Sequence, residues 1–109
     1  MRDTLHAELA QVSLAEAMNG LSDPLRLSIV ALLAENGEME CNKIYDALGI
    51  SKSNASHHFR VLRECGLIRR NHHGQQQTAR LRRDEFDDRF PGLLQAVLDN
   101  VESFAATTT

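Results

Sequence analysis

Between residues 40 and 82 the hydrophobic period changes once, and that change limits the folds open to this chain. Two helix-patterned segments, about Glu40 to Leu48 and Lys52 to Glu64, meet at Gly49. The first is expected to bury Ile44, Ala47 and Leu48, and the second Ala55, Phe59, Leu62 and part of His58. Ser51 is a natural N-cap for the second segment, and Gly66 ends it. Beyond Gly66, Leu67-Ile68-Arg69-Arg70 and Thr78-Ala79-Arg80-Leu81-Arg82 read as short strands around a hairpin tip, His72-His73-Gly74-Gln75. Two helices joined by a turn of about four residues, then a basic β-hairpin, make a winged helix-turn-helix.

The flanks read as further helices around one core. Thr4 to Asn19 is expected to form a first helix with Leu5, Leu9, Val12 and Glu16 on one face, widened by Leu14, Ala15 and Met18. Ser22-Asp23-Pro24 opens a second, with Leu25, Ile29, Leu32 and Leu33 inward, ending at Asn36-Gly37. Asp84 is expected to cap a short helical turn through Phe90, and Pro91 to open a last helix reaching about Phe104. The expected fold is mainly α with a small β-hairpin, in a single domain over 1–109. Residues 1–20 form an N-terminal helix, 21–90 the core and wing, and 91–104 a C-terminal helix.

The formal net charge of −3 conceals a segregation. Residues 52–83 hold eight Lys/Arg against one acid, Glu64, a net +7, so the remainder is −10. A basic stretch inside an acidic chain is the footprint of a phosphate-binding face. It coincides with the second helix of the motif, whose outer face carries Ser51, Lys52, Ser53, Asn54, Ser56, His57 and Arg60. Hydroxyl, amide and imidazole groups there can read base edges in a major groove, while Lys52 and Arg60 reach phosphates. His72, His73, Gln75 and Arg80 place the wing along the backbone or in the adjacent minor groove.

From Leu21-Ser22-Asp23-Pro24-Leu25-Arg26 to Leu98 the chain resembles the ArsR/SmtB repressors. The matching runs are Asp46-Ala47-Leu48-Gly49-Ile50-Ser51, Ser53-Asn54-Ala55-Ser56-His57-His58-Phe59 and Val61-Leu62-Arg63-Glu64-Cys65-Gly66-Leu67-Ile68. The resemblance implies a homodimer that blocks transcription at an imperfect palindrome, joined through its first and last helices. Leu5, Leu9 and Val12 of the first helix, with Leu93, Leu94, Val97, Leu98 and Val101 of the last, are the expected interface. The stripe on the last helix supports this independently, being more than a monomer of 109 residues needs to cover.

The usual metal sites of such proteins are missing. Glu40 and Asn42 stand where a Cys-x-Cys pair would be, with Cys41 between them, and Asp84-Glu85-Phe86 has no histidine after it. No metal and no cofactor are expected. Cys41 and Cys65 offer an alternative reading, a thiol-based redox switch, beside the commoner one of buried, inert thiols. An enzyme is not expected: Ser56, His57, His58 and Cys65 lie along one helix with no orienting acid and no glycine-rich phosphate loop. A winged-helix protein-interaction module, the other alternative, would want an apolar or acidic outer face on that helix. The absence of a long apolar run and the charges in Met1 to Ala10 lead to an expected cytoplasmic location with no membrane contact. The expected partners are double-stranded DNA, a second copy of the chain and an unidentified small-molecule or redox effector.

Overall fold

The computed structural model describes residues 7–101; Leu5, assigned above to the dimer face, and Phe104, the expected end of the last helix, lie outside the described residues. A 3-10 turn at Leu9–Gln11 leads to helix α1 (Leu14–Gly20) and helix α2 (Pro24–Asn36). Strand β1 (Met39–Glu40) runs directly into α3 (Cys41–Leu48), followed by α4 (Lys52–Glu64). The wing is β2 (Ile68–His73) and β3 (Gln76–Leu81), and α5 (Arg83–Arg89) and α6 (Leu93–Asn100) complete the chain. The sheet is antiparallel in the order β1-β3-β2.

Local chemistry fixes the helix starts. Ser13 and Glu16 form a reciprocal capping box, Glu16 N–H donating to Ser13 Oγ at 3.0 Å and Ser13 N–H to Glu16 Oε1 at 2.8 Å. That box starts α1 at Leu14, so the long first helix expected from Thr4 is broken by extended backbone at Val12 and Ser13. Asp23 Oδ2 accepts from Leu25 N–H at 2.9 Å and Arg26 N–H at 3.1 Å, with Pro24 preset for the first turn of α2. α3 and α4 are joined by Gly49, Ile50 and Ser51, one residue fewer than expected. Gly49 takes the left-handed conformation, φ +67°, which lets the chain reverse without a Cβ clash.

Several boundaries differ from the sequence expectation. Glu40 belongs to β1 and pairs with Thr78, so α3 begins at Cys41, and Ala47 is exposed rather than inward. The wing strands are longer than expected: His72 and His73 are in β2, and only Gly74 and Gln75 make the tip. Arg82, not Asp84, holds the cap position of α5, and α6 starts after Gly92 and ends at Asn100.

The core joins every layer. Ile29, Leu33, Ile44, Phe59, Leu62 and Phe86 are all essentially inaccessible, each such side chain contributing about 1.5–3 kcal/mol of burial. Leu9 reaches into this core over Gly66, where a Cβ would stand 2.3 Å from Leu9 Cδ2; Gly66 also needs its φ of +85° to turn the chain out of α4. Leu9, Val12 and Leu94 are thereby taken up by the chain's own core and have little surface left for a partner. Leu93, Val97, Leu98 and Val101 remain half-buried, while Leu14 and Met18 of α1 are 54% exposed each.

Candidate nucleic-acid interface

The candidate reading head is α4, and its two faces are sharply divided. Ala55, Phe59 and Leu62 are inaccessible, whereas Lys52, Ser53, Asn54, Ser56, His57 and Arg60 are exposed. The inner face is held by the tilted contact of Tyr45 on Phe59, ring centroids 5.7 Å apart, and by packing against α2 and α3. Ser51 is exposed too, but its Oγ accepts from Asn54 N–H at 3.1 Å and lies 3.3 Å from Ser53 Oγ. Its first task is to cap the helix.

Cations crowd the junction of α4 and the wing. The half-buried Arg63 has its pKa lowered, first by burial, then by the charges of Arg70 and Arg60, with Glu64 opposing. Arg70 also lies over the ring of Phe59 and donates through Nη2 to Gln77 Oε1. Packing like charges together costs free energy that a polyanion laid across them would return.

The wing side chains divide by strand alternation. Asn71 and His73 face Glu38, whose Oε2 accepts from Thr78 Oγ1 and from Asn71 Nδ2 at 3.5 Å, and pairs with His73 Nε2 at 3.5 Å. His73, assigned above to phosphate contact, therefore has an acidic neighbour within the fold, although its side chain stays 60% exposed. His72 and Gln75 are exposed, and Arg80 is half-buried with Nη1 donating to the Leu81 carbonyl at 3.4 Å.

Two members of the basic run do structural work. Arg82 is 5% exposed; its Nε and Nη2 donate to Glu85 at 3.0 and 3.3 Å, and its Nη1 donates to the Ala7 carbonyl at 2.8 Å. Arg83 donates to Gln95 Oε1 at 2.5 Å, linking α5 to α6. The sequence charge count therefore overstates the cationic surface that faces outward.

Both cysteines are buried, at 3% exposure for Cys41 and 4% for Cys65. Burial raises the Cys41 thiol above its ordinary value and pushes Cys65 up to about 11. Neither environment favours the thiolate that redox or metal chemistry needs. Among the described residues no three His, Cys, Asp or Glu side chains converge to hold a metal ion.

Sequence reasoning missed Arg26, Arg70 and Glu38. Each acts through a partner on another element, Gln77 for Arg70, His58 for Arg26 and Thr78 for Glu38, and strand or helix periodicity carries no signal for such pairs.

The chain matches a family model described as a helix-turn-helix domain over residues 21–71, which spans α2 to the middle of β2. It is 34% identical over 84 residues to the uncharacterised HTH-type transcriptional regulator YceK of Bacillus subtilis, covering 76% of this chain and 84% of that one. Among solved structures it resembles the homodimeric winged helix-turn-helix DNA-binding domain Mb0332 of Mycobacterium bovis, described as a possible ArsR-family regulator. The TM-score is 0.65 at 30% identity, over 78% of this chain and 77% of the other. The transcriptional repressor BigR of Xylella fastidiosa superposes with a TM-score of 0.64 at 28% identity, over 78% and 82% of the two chains.

Proposed function

The chain belongs to the ArsR-type winged helix-turn-helix transcriptional regulators, and on that premise we propose that it is a homodimeric repressor reading a palindromic operator. In this reading α4 lies in the major groove, with Ser53, Asn54, Ser56 and His57 at base edges and Lys52 and Arg60 at phosphates. The wing, through His72, His73, Gln75 and Arg80, follows the backbone beside it. In this reading it is a binding protein, not a catalyst, and works in the cytoplasm because its target is DNA. Among the described residues no helix is long and apolar enough to cross a membrane. The observation that carries the reading is the division of α4: an inaccessible face at Ala55, Phe59 and Leu62, and exposed residues that are all polar or cationic from Lys52 to Arg60.

The second copy docks on the terminal helices. Exposed Leu14 and Met18, with the half-buried Leu93, Val97, Leu98 and Val101, supply the apolar surface, and Leu9, Val12 and Leu94 support it from beneath. A two-fold pair would then set two reading helices roughly 34–36 Å apart, one turn of duplex.

Selection of bound duplexes from a random pool, followed by titration at several salt concentrations, tests the proposal. A palindromic consensus and an affinity that falls steeply with salt are expected. Arg60→Ala should weaken binding to all sequences, and Ser53→Ala or His57→Ala should shift base preference. Salt-independent binding, or no effect of any of the three substitutions, would overturn it.

A further inference from the structure

Arg26 is buried, at 8% exposure, between the end of α1 and the inner side of α4. Its Nε donates to the Gly20 carbonyl at 2.9 Å and its Nη2 to the Asn19 carbonyl at 3.1 Å. Those two bonds fix the guanidinium plane against the last turn of α1. Its Nη1 then meets Nδ1 of His58, on α4, at 3.1 Å.

A guanidinium has donors only and keeps its proton at any pH the protein meets. His58 can accept from it only with a lone pair on Nδ1, that is, as the neutral ring protonated at Nε2. A proton on Nδ1 would turn the contact into two opposed donors. The acceptor for that proton is already in place: Asp23 Oδ2 lies 3.8 Å from the same nitrogen while capping α2. Among the described residues the other titratable neighbour is His57 on α4 itself, its ring centroid 5.1 Å away and edge-on. His58 thus stands between an α2 cation that requires the neutral ring and an α2 carboxylate that favours the charged one.

We propose that Arg26 and His58 are a positioning pair for the reading helix, and that proton uptake by His58 exchanges Arg26 for Asp23 and lowers DNA affinity. The proposal rests on α4 being the DNA-reading element. Neither residue touches DNA; the pair sets the angle at which Ser53, His57 and Arg60 are presented. Burial draws the His58 pKa below its ordinary 6.5, Asp23 opposes this, and Arg26 and His57 add to it. The pair is therefore intact above pH 6.5 and is lost as pH falls through the lowered value.

The test compares the full wild-type chain with His58→Gln, whose amide oxygen can accept from Arg26 and does not titrate. Nitrogen-15 imidazole spectra of the free wild-type protein should show His58 protonated at Nε2 at neutral pH. The α4 amide shifts should move with its titration. Fluorescence anisotropy, with a duplex selected from a random pool at neutral pH, gives affinity between about pH 5 and 7.5. Wild type should lose about fivefold or more relative to His58→Gln across that range, since titrations remote from position 58 are common to both proteins and cancel in the ratio. A flat ratio, a proton on Nδ1 at neutral pH, or α4 shifts indifferent to His58 would overturn the proposal. If neither protein bound the duplex at neutral pH, the DNA reading itself would fail and the spectra alone would judge the pair.

Discussion

The guanidinium carbon of Arg70 lies 5.4 Å from the ring centroid of Phe59, so a wing cation rests on the aromatic anchor of the reading helix. The same guanidinium donates to Gln77 on β3, tying both wing strands to α4. Removing it with Arg70→Ala should destabilise the fold by about 1–2 kcal/mol, the worth of a partly desolvated cation–π contact. Arg70→Lys keeps the charge but loses the planar stack, and should recover less than half of that. Urea unfolding midpoints of the three proteins check the order; equal midpoints would show that the contact contributes nothing.

Gly20 ends α1 against Cys65, and a Cβ there would stand 2.4 Å from the Cys65 sulfur. Alanine at a helical glycine normally gains stability, but the clash should reverse the sign and cost about 2 kcal/mol. The obstacle is one sulfur atom, so Cys65→Ala should suppress the defect. A double-mutant cycle should give a favourable coupling of about 1 kcal/mol or more. Additive effects would mean that the end of α1 does not pack on Cys65 as described.

Glu38 predicts a stability change in acid. Its carboxyl is held below the ordinary 4.5 first by the Thr78 hydroxyl, with Asn71 and His73 adding to this and partial burial opposing it. A carboxylate lowered in the folded state contributes stability that is complete above its unfolded value and is lost as pH falls through its folded value. Thermal unfolding midpoints of wild type should therefore drop more steeply below pH 4.5 than those of Glu38→Gln. Parallel profiles would mean that the wing does not depend on this clamp.

Thiol chemistry offers a direct check on the packing around α4. Cys41 and Cys65 are both buried and both raised in pKa, Cys65 to about 11. An aromatic disulfide reagent at neutral pH should react with the native protein about a hundredfold more slowly than with the unfolded chain, since it must wait for local opening. Reaction of either cysteine at the free-thiol rate would contradict the burial and revive the redox reading.

The elements legible in the sequence are those fixed by short-range chemistry. Ser51, Ala55, Phe59, Leu62 and Gly66 define α4 from cap to stop, and its observed span, Lys52–Glu64, matches the expected one. The Ser13–Glu16 capping box was also legible, but apolar spacing masked it: Leu9 and Val12 face the core from a 3-10 turn and extended backbone, yet keep an interval that imitates a helical stripe. β1 could not be read: two residues carry no period, and Met39 and Glu40 become a strand only by pairing with Ala79 and Thr78. For the interface, the outer face of α4 followed from the same alternation that found its core. The pairing of His73 with Glu38 and of His58 with Arg26 did not, because those partners meet only once α2, α4 and the wing have assembled.

Only Cys65, Gly66 and Leu67 separate α4 from β2, and Leu67 is locked at both ends, its N–H donating to Leu62 at 3.0 Å and its carbonyl accepting from Arg82 at 2.8 Å. This short, hydrogen-bonded link couples the orientation of the hairpin to that of the helix. On the proposed reading, a duplex with one base pair inserted between the steps assigned to the helix and those assigned to the hairpin would have to untwist and shorten locally to fit.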